Sequence, residues 1–213
     1  MITISAFKMV PPFAQGVVRD LRARWALEEA GLPYEVRLVD PAILATPEYR
    51  AQQPFGQVPA MTDDNLTLFE SGSILLHIAQ RSETLLPKNE QERARAVSWV
   101  FAALNSIEPF AQELAALDFF YPGQEWPKQH RPDVVAMIRR RLSELATWLG
   151  DRDYLEGRFT AGDLMMTTVL RILRHTDLVA EQPKLGAYQS RCESRPAFQR
   201  ALKGQMSAFE QAA

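Results

Sequence analysis

Residues 57–61 read Gln57-Val58-Pro59-Ala60-Met61, and beyond an acidic turn residues 69–73 read Phe69-Glu70-Ser71-Gly72-Ser73. Val58-Pro59 sets a proline beside a short strand, where its missing N–H removes a ladder hydrogen bond. Such a proline fits a sheet edge, a bulge or a turn, or it takes the cis form, which costs an X–Pro bond only about 0.5–1 kcal/mol. A cis bond after Val58 turns the backbone N–H and C=O of Val58 away from the sheet, ready to pair with an extended peptide-like ligand. Glu70-Ser71 lies where a second strand gives way to a helix. Ser71 reads either as an ordinary N-cap or as part of an anion site, in which its hydroxyl and the first helical N–H groups receive a carboxylate. Glu70 is either a solvated strand end or the partner of an ammonium. Together the pair suits an α-amino acid end group, which carries both charges.

Working outward, ITISAFK (2–8) is β-branched and aromatic, as a buried first strand should be. From Gly16 the period changes, with Val17, Leu21 and Trp25 on one face and Arg19, Arg22, Arg24 and Glu28 around the other. Gly31 and Pro33 stop that helix. Tyr34, Val36 and Leu38 alternate with charges as a second strand. A helical turn near Pro47–Arg50, the strands VPAMT and LTLFE around a turn at 63–65, and a helix over 71–81 complete a small α/β unit. Strand signals end there. Residues 82–89 form a short polar linker. Beyond it the periodicity predicts a long helix over 90–117 kinked at Pro109, another from Pro132 to Leu149, and one opening at Thr160. A shorter helix is expected over Lys184–Glu193, and a final one from Pro196 stacks Phe198, Leu202, Met206 and Phe209. The expected organisation is therefore 1–81, a linker at 82–89, and an all-helical domain over 90–213.

The 213 residues are 46% hydrophobic with a net charge of −2, which suits a soluble globular protein and draws it to neither nucleic acid nor anionic lipid. No run reaches the roughly 18–20 apolar residues of a membrane helix, and residues 1–12 lack the pattern of a secretory leader. The single cysteine, Cys192, excludes an internal disulfide framework and suits the cytoplasm. His77, His130 and His175 have no metal-ligand spacing with it, so no metal site is expected. No C-x-x-C pair, phosphate loop or dinucleotide glycine pattern occurs.

The run PFGQVPAMTDDNLTLFESGSILLHIA (54–79), followed by a linker and helices, resembles the glutathione transferases over nearly the whole chain. The resemblance implies an α/β thioredoxin-like N-terminal domain with a cis proline at Pro59, and an all-α C-terminal domain that supplies most of the second-substrate pocket. Carried onto this sequence, the backbone of Val58 pairs with the cysteinyl part of glutathione. Glu70 and Ser71 hold the γ-glutamyl ammonium and carboxylate, Gln57 contacts the tripeptide backbone, and Arg50 is placed for the glycyl carboxylate. Thr160 and Asp163 in RFTAGDLMM resemble the family's buried capping box, whose role is folding. The implied activity joins the glutathione thiolate to a small apolar electrophile, or uses it to reduce an organic hydroperoxide. The competing reading is a non-catalytic glutathione-binding or scaffold protein of the same fold. A two-fold homodimer is implied too, with Phe55 as a hydrophobic key or as a home-packed side chain.

The sequence departs from the family where a tyrosine, serine or cysteine usually stands beside the sulfur. Val17 occupies the serine or cysteine position and Met9–Phe13 the tyrosine position, and none of these side chains can donate to sulfur. Three replacements remain: the helix N-terminus around Gln15 to Val18, Arg19 as a nearby cation, and Ser5, ranked last because it lies within a strand. Arg19 with backbone N–H groups is the expected activator. Phe119, Phe120, Tyr121 and Trp126 read either as a wall for an apolar electrophile or as packing of a connection onto the helical core.

Overall fold

The computed structural model describes residues 1–210. The chain forms two compact units, one gathering Met1–Leu86 with residues 195–210, the other Pro87–Ser194. In the first unit, strands β1 (Ile2–Phe7), β2 (Tyr34–Val39), β3 (Ala60–Asp63) and β4 (Leu66–Phe69) make one mixed sheet in the order β2-β1-β3-β4. β1 and β2 are parallel, with Ile4 opposite Val36, whereas β3 runs antiparallel to both neighbours, with Met61 opposite Ile4 and Leu68. Helices α1 (Asp20–Ala30) and α4 (Ser71–Ala79) pack together, and the short α2 (Pro41–Leu44) and α3 (Pro47–Arg50) lie between β2 and β3 in the chain. Thr46 caps α3 by accepting from the Tyr49 N–H at 3.2 Å, and the proline at its first position loses no helical bond.

The first helix begins later than its apolar spacing suggests. Gly16 has φ +77°, Pro12–Ala14 is a single 3₁₀ turn, and α1 starts at Asp20. The face carrying Arg22 and Arg24 is not solvated either, since both arginines are buried at 2% and 3% exposure. The cause is α10 (Pro196–Glu210), which covers that side of α1: Phe198 meets Trp25 edge-on at 4.8 Å, and Gln205 donates to Asp20 Oδ1 at 2.6 Å. The sequence reading groups 90–213 as one helical domain, but by packing α10 belongs with the first unit; residues 211–213 lie outside the described residues. Arg24 pairs with Asp20 at 2.7 Å, and burial still pushes the Asp20 carboxyl up against the pull of that guanidinium.

The second unit holds α5 (Glu90–Ala102), α6 (Glu108–Phe119), α7 (Glu125–Leu149), α8 (Ala161–Leu170) and α9 (Pro183–Glu193). The helix expected over 90–117 is interrupted by a π-helical stretch, Ala103–Ile107, and restarts at Glu108. Pro109 cannot donate to the preceding turn, and the hydrogen-bond register shifts just before it, where the Glu108 N–H closes the π-helical stretch on the Ala103 carbonyl. α7 starts at Glu125 rather than at Pro132, because Pro127 falls in its first turn and the helix absorbs Pro132. Every residue of α8 is buried. A side chain at Gly162 would place Cβ 2.5 Å from Trp99 Cβ, so glycine lets α5 and α8 approach. The capping box closes around Asp163, which accepts from the N–H groups of Thr160 and Leu155 at 2.9 Å each and from the Tyr188 hydroxyl at 3.1 Å. These donors satisfy the buried carboxylate, and Thr160 Oγ1 accepts from the Gly162 N–H at 3.2 Å, satisfying a helix end inside the core.

In the first unit His77 sets its Nε2 3.0 Å from the Asp63 carboxylate, which Arg81 also contacts. The His77 bond, followed by Arg81, holds the Asp63 carboxyl below its ordinary range. A carboxylate depressed in the folded state stabilises above its unfolded pKa, and the contribution is lost as pH falls through the folded value. Asp63→Asn is therefore expected to lower Tm at pH 7, with the gap to wild type closing below about pH 4. Thermal melts across pH check this, and a gap that persists in acid would contradict it.

Candidate functional site

The Val58–Pro59 peptide bond is cis and directly precedes β3. Hydroxyls of two buried side chains span this turn. The Ala60 N–H donates to Ser5 Oγ at 2.7 Å, Ser5 and Tyr49 hydroxyls meet at 2.8 Å, and the Tyr49 hydroxyl donates to the Gln57 carbonyl at 2.7 Å. With Tyr49 committed to the carbonyl and Ser5 accepting from Ala60, the Ser5 proton points to Tyr49. The Ser5 hydroxyl is thus consumed within the sheet, which removes it as a candidate beside sulfur. Tyr49 is fully buried, and burial pushes its hydroxyl pKa up, keeping it a donor. Val58 packs with Val39, Tyr49 and Ala60, while among the described residues its backbone N–H and C=O pair with no other backbone group.

The register brings the two sequence stretches together. Ala60 faces Phe69 across β3 and β4, so Val58-Pro59 and Glu70-Ser71 leave the hairpin at the same end. Glu70, exposed, has φ +66° and ψ 118°, a conformation that costs a residue with a Cβ of order 1–3 kcal/mol. It occupies the N-cap position of α4, and Ser71 is the first helical residue, so of its two readings the N-cap does not hold. Ser71 is 4% exposed, and its Oγ accepts from Arg22 Nη1 at 3.0 Å. The first N–H groups of α4 have no helical acceptor, as in any helix, and carry its positive end.

Arg50 is exposed on α3, and its guanidinium donates to the Pro54 carbonyl at 2.9 Å. It lies over Gly56, whose φ is +63°, and a Cβ there would fall 2.6 Å from its Cζ. Gln57 is exposed beside it and held by its N–H to Gln53 Oε1 at 3.1 Å. Arg19 stands at the N-cap of α1, half-buried. The N–H groups of Gln15 and Val17, proposed as an anion-stabilising helix start, are spent in tight turns at Pro12 and Ala14, because the helix proper begins further on. Arg22 and Tyr49 escape the sequence reading. The clue for Arg22 was its place between Leu21 and Trp25 on a helix that is buried all round; Tyr49 gave only the burial of an aromatic in a one-turn helix. His130 and His175 each face a carboxylate, Glu113 at 2.8 Å and Asp118 at 3.1 Å, and among the described residues no group of three or more side chains fits a metal ion. No helix among them is long and apolar enough to cross a membrane.

Family models match residues 14–80, described as the N-terminal domain of glutathione S-transferase, and residues 58–196, its C-terminal domain. The chain belongs to the glutathione S-transferase family. Among its relatives, glutathione S-transferase 4 of Zea mays is 31% identical over 186 residues, covering 83% of each chain. Glutathione S-transferase GstA of Escherichia coli O157:H7 is 31% identical over 166 residues, 74% of this chain and 78% of that protein. A glutathione transferase family member from Pseudomonas fluorescens Pf-5, crystallised with two glutathione molecules bound, superposes with a TM-score of 0.83 at 25% identity, covering 94% of this chain and 92% of that one. The glutathione S-transferase fold thus accounts for both units, the mixed sheet and the helices.

The strain at Glu70 is open to measurement. Glycine accepts positive φ without cost and alanine does not, so Glu70→Gly is expected to be more stable than Glu70→Ala by about 1–2 kcal/mol in urea unfolding. Equal midpoints would mean that the backbone there carries no strain.

Proposed function

We propose that this chain binds glutathione along the edge at Val58 and acts as a glutathione transferase on small apolar electrophiles or organic hydroperoxides. The observation that carries the reading is the pairing, at one end of the β3–β4 hairpin, of an unengaged Val58 backbone with a strained Glu70 and a buried Ser71 at a helix mouth. Backbone strain persists where function requires it. In this reading Val58 pairs with the cysteinyl residue as an added strand would. Ser71 and the α4 N–H groups take the γ-glutamyl carboxylate, Glu70 takes the ammonium, and Gln57 takes the tripeptide backbone. Arg50 has five N–H donors, so its bond to Pro54 leaves capacity for the glycyl carboxylate.

Arg19, at the head of α1, is the cation that favours the thiolate over a thiol of pKa near 8.5. The thiol proton leaves to solvent, and sulfur bonds to the electrophilic carbon as the leaving group departs with the bonding pair. With a hydroperoxide, the thiolate attacks the terminal oxygen, forming a sulfenic acid as the O–O bond breaks and the alkoxide takes a proton to leave as the alcohol; a second glutathione thiol then displaces the sulfenic hydroxyl, giving the disulfide and water. The protein is taken as cytoplasmic, as its single cysteine suits, and as a homodimer, since Phe55 is 64% exposed and meets Phe69 edge-on at 6.3 Å as an unburied aromatic pair. Phe55→Ser is expected to shift the species seen in sedimentation velocity towards monomer, and an unchanged distribution would remove Phe55 from the interface.

A second reading, a glutathione-binding protein without catalysis, is favoured by one observation. The only hydroxyl in β1 apart from Thr3 belongs to Ser5, already tied to Ala60 and Tyr49, and residues 8–13 contain no hydroxyl or thiol. One measurement tests the site and a second separates the readings. By calorimetry Ser71→Ala is expected to weaken glutathione binding by about 1.5–3 kcal/mol, and equal affinities would break the site assignment. The ultraviolet thiolate band of bound glutathione is expected to titrate below the free thiol in wild type and closer to it in Arg19→Gln. An unshifted thiol in wild type would favour the binding protein.

A further inference from the structure

We infer that Arg22 is a positioning residue that fixes Ser71 as a hydrogen-bond donor and thereby selects a ligand carrying a carboxylate at the mouth of α4. The inference rests on the glutathione reading above and names what discriminates its γ-glutamyl end. A serine hydroxyl has one proton and two acceptor sites, so on geometry alone it serves an ammonium, an amide or a carboxylate. A guanidinium carries donors only. With Arg22 Nη1 at 3.0 Å, Ser71 Oγ must accept from Arg22, and its own proton must point to another group.

Both side chains are buried, Arg22 at 2% and Ser71 at 4% exposure, and α1 packs against α4, so the bond is not exchanged for water. A charge-assisted bond into Oγ also polarises the O–H, making it a stronger donor than an isolated serine. Beside that proton lie the first N–H groups of α4, which are donors too. The Ser71 hydroxyl and these N–H groups thus present donors to a ligand, with the Arg22 guanidinium behind Ser71. A carboxylate satisfies such a set, whereas a bound ligand without one displaces water and leaves these donors unpaired. The residue acts through Ser71, with no claim of its own contact to the ligand.

The test compares two ligands on the full chain. Glutathione is measured against 4-aminobutyryl-cysteinylglycine, which has the same thiol and glycyl end but lacks the α-carboxylate. Wild type is expected to prefer glutathione by calorimetry. Arg22→Met is expected to weaken glutathione about tenfold or more while changing the affinity for the analogue less than twofold, and Arg22→Lys is expected to restore part of the preference. Should circular dichroism find Arg22→Met unfolded, Arg22→Gln, which keeps a neutral donor for Ser71 but loses the charge, is read in its place, with a smaller loss expected for glutathione and none for the analogue. A parallel fall for both ligands, or no change for glutathione, overturns the role given to Arg22 and leaves the glutathione site standing. A wild type that binds both ligands equally overturns the γ-glutamyl assignment itself.

Discussion

Two hydroxyls, those of Ser5 and Tyr49, carry the turn on which the proposed glutathione site is built. The Gln57 carbonyl and the Ala60 N–H flank the cis bond, one on each side, and the relay ties both to the same buried pair. Without it, two backbone groups next to a packed Val58 would need other partners, and buried unpaired backbone groups cost about as much as a lost hydrogen bond. The relay connects a residue in the first strand, one in a single-turn helix and the turn itself, so the edge at Val58 is held by the sheet rather than by the loop that contains it.

A second constraint lies in the charges buried on α1. Asp20, Arg22 and Arg24 all sit below a few per cent exposure, which is costly unless each finds a partner. Arg24 pairs with Asp20, Gln205 of α10 donates to Asp20, and Arg22 donates to Ser71 of α4. A buried ion pair adds little net stability, because desolvation offsets the attraction. What it supplies here is placement: α1, α4 and α10 meet in one register, and the helix mouth at Ser71 is fixed relative to the turn at Val58.

Function and strain meet at Glu70. Its positive φ opposes folding locally, yet it lets the chain pass from β4 into α4 with the carboxylate outside and the next hydroxyl inside. A glycine would make that passage at lower cost and would carry no charge. The sequence keeps an acid there, which fits the proposed grip on an ammonium beside a carboxylate.

The strands, the hairpin at 63–65 and the capping box at Thr160 and Asp163 were legible in the sequence, because alternation, turn chemistry and cap spacing each act within a few residues. So was the pairing of Val58-Pro59 with Glu70-Ser71, since a tight hairpin fixes which ends meet. Other features were decided only by tertiary structure. Arg22 and Arg24 read as a charged helix face, and only the packing of α10 and α4 on that face buried them. Pro132 read as a helix start, though α7 runs through it, and Pro109 read as a kink, though the chain changes its hydrogen-bond register before it. Tyr49 read as part of a short turn, and its role came from strands far away in sequence. Local periodicity states which faces a segment can bury; which surface arrives to cover them, and which buried polar group then needs a partner, is settled by contacts between residues that no short window contains.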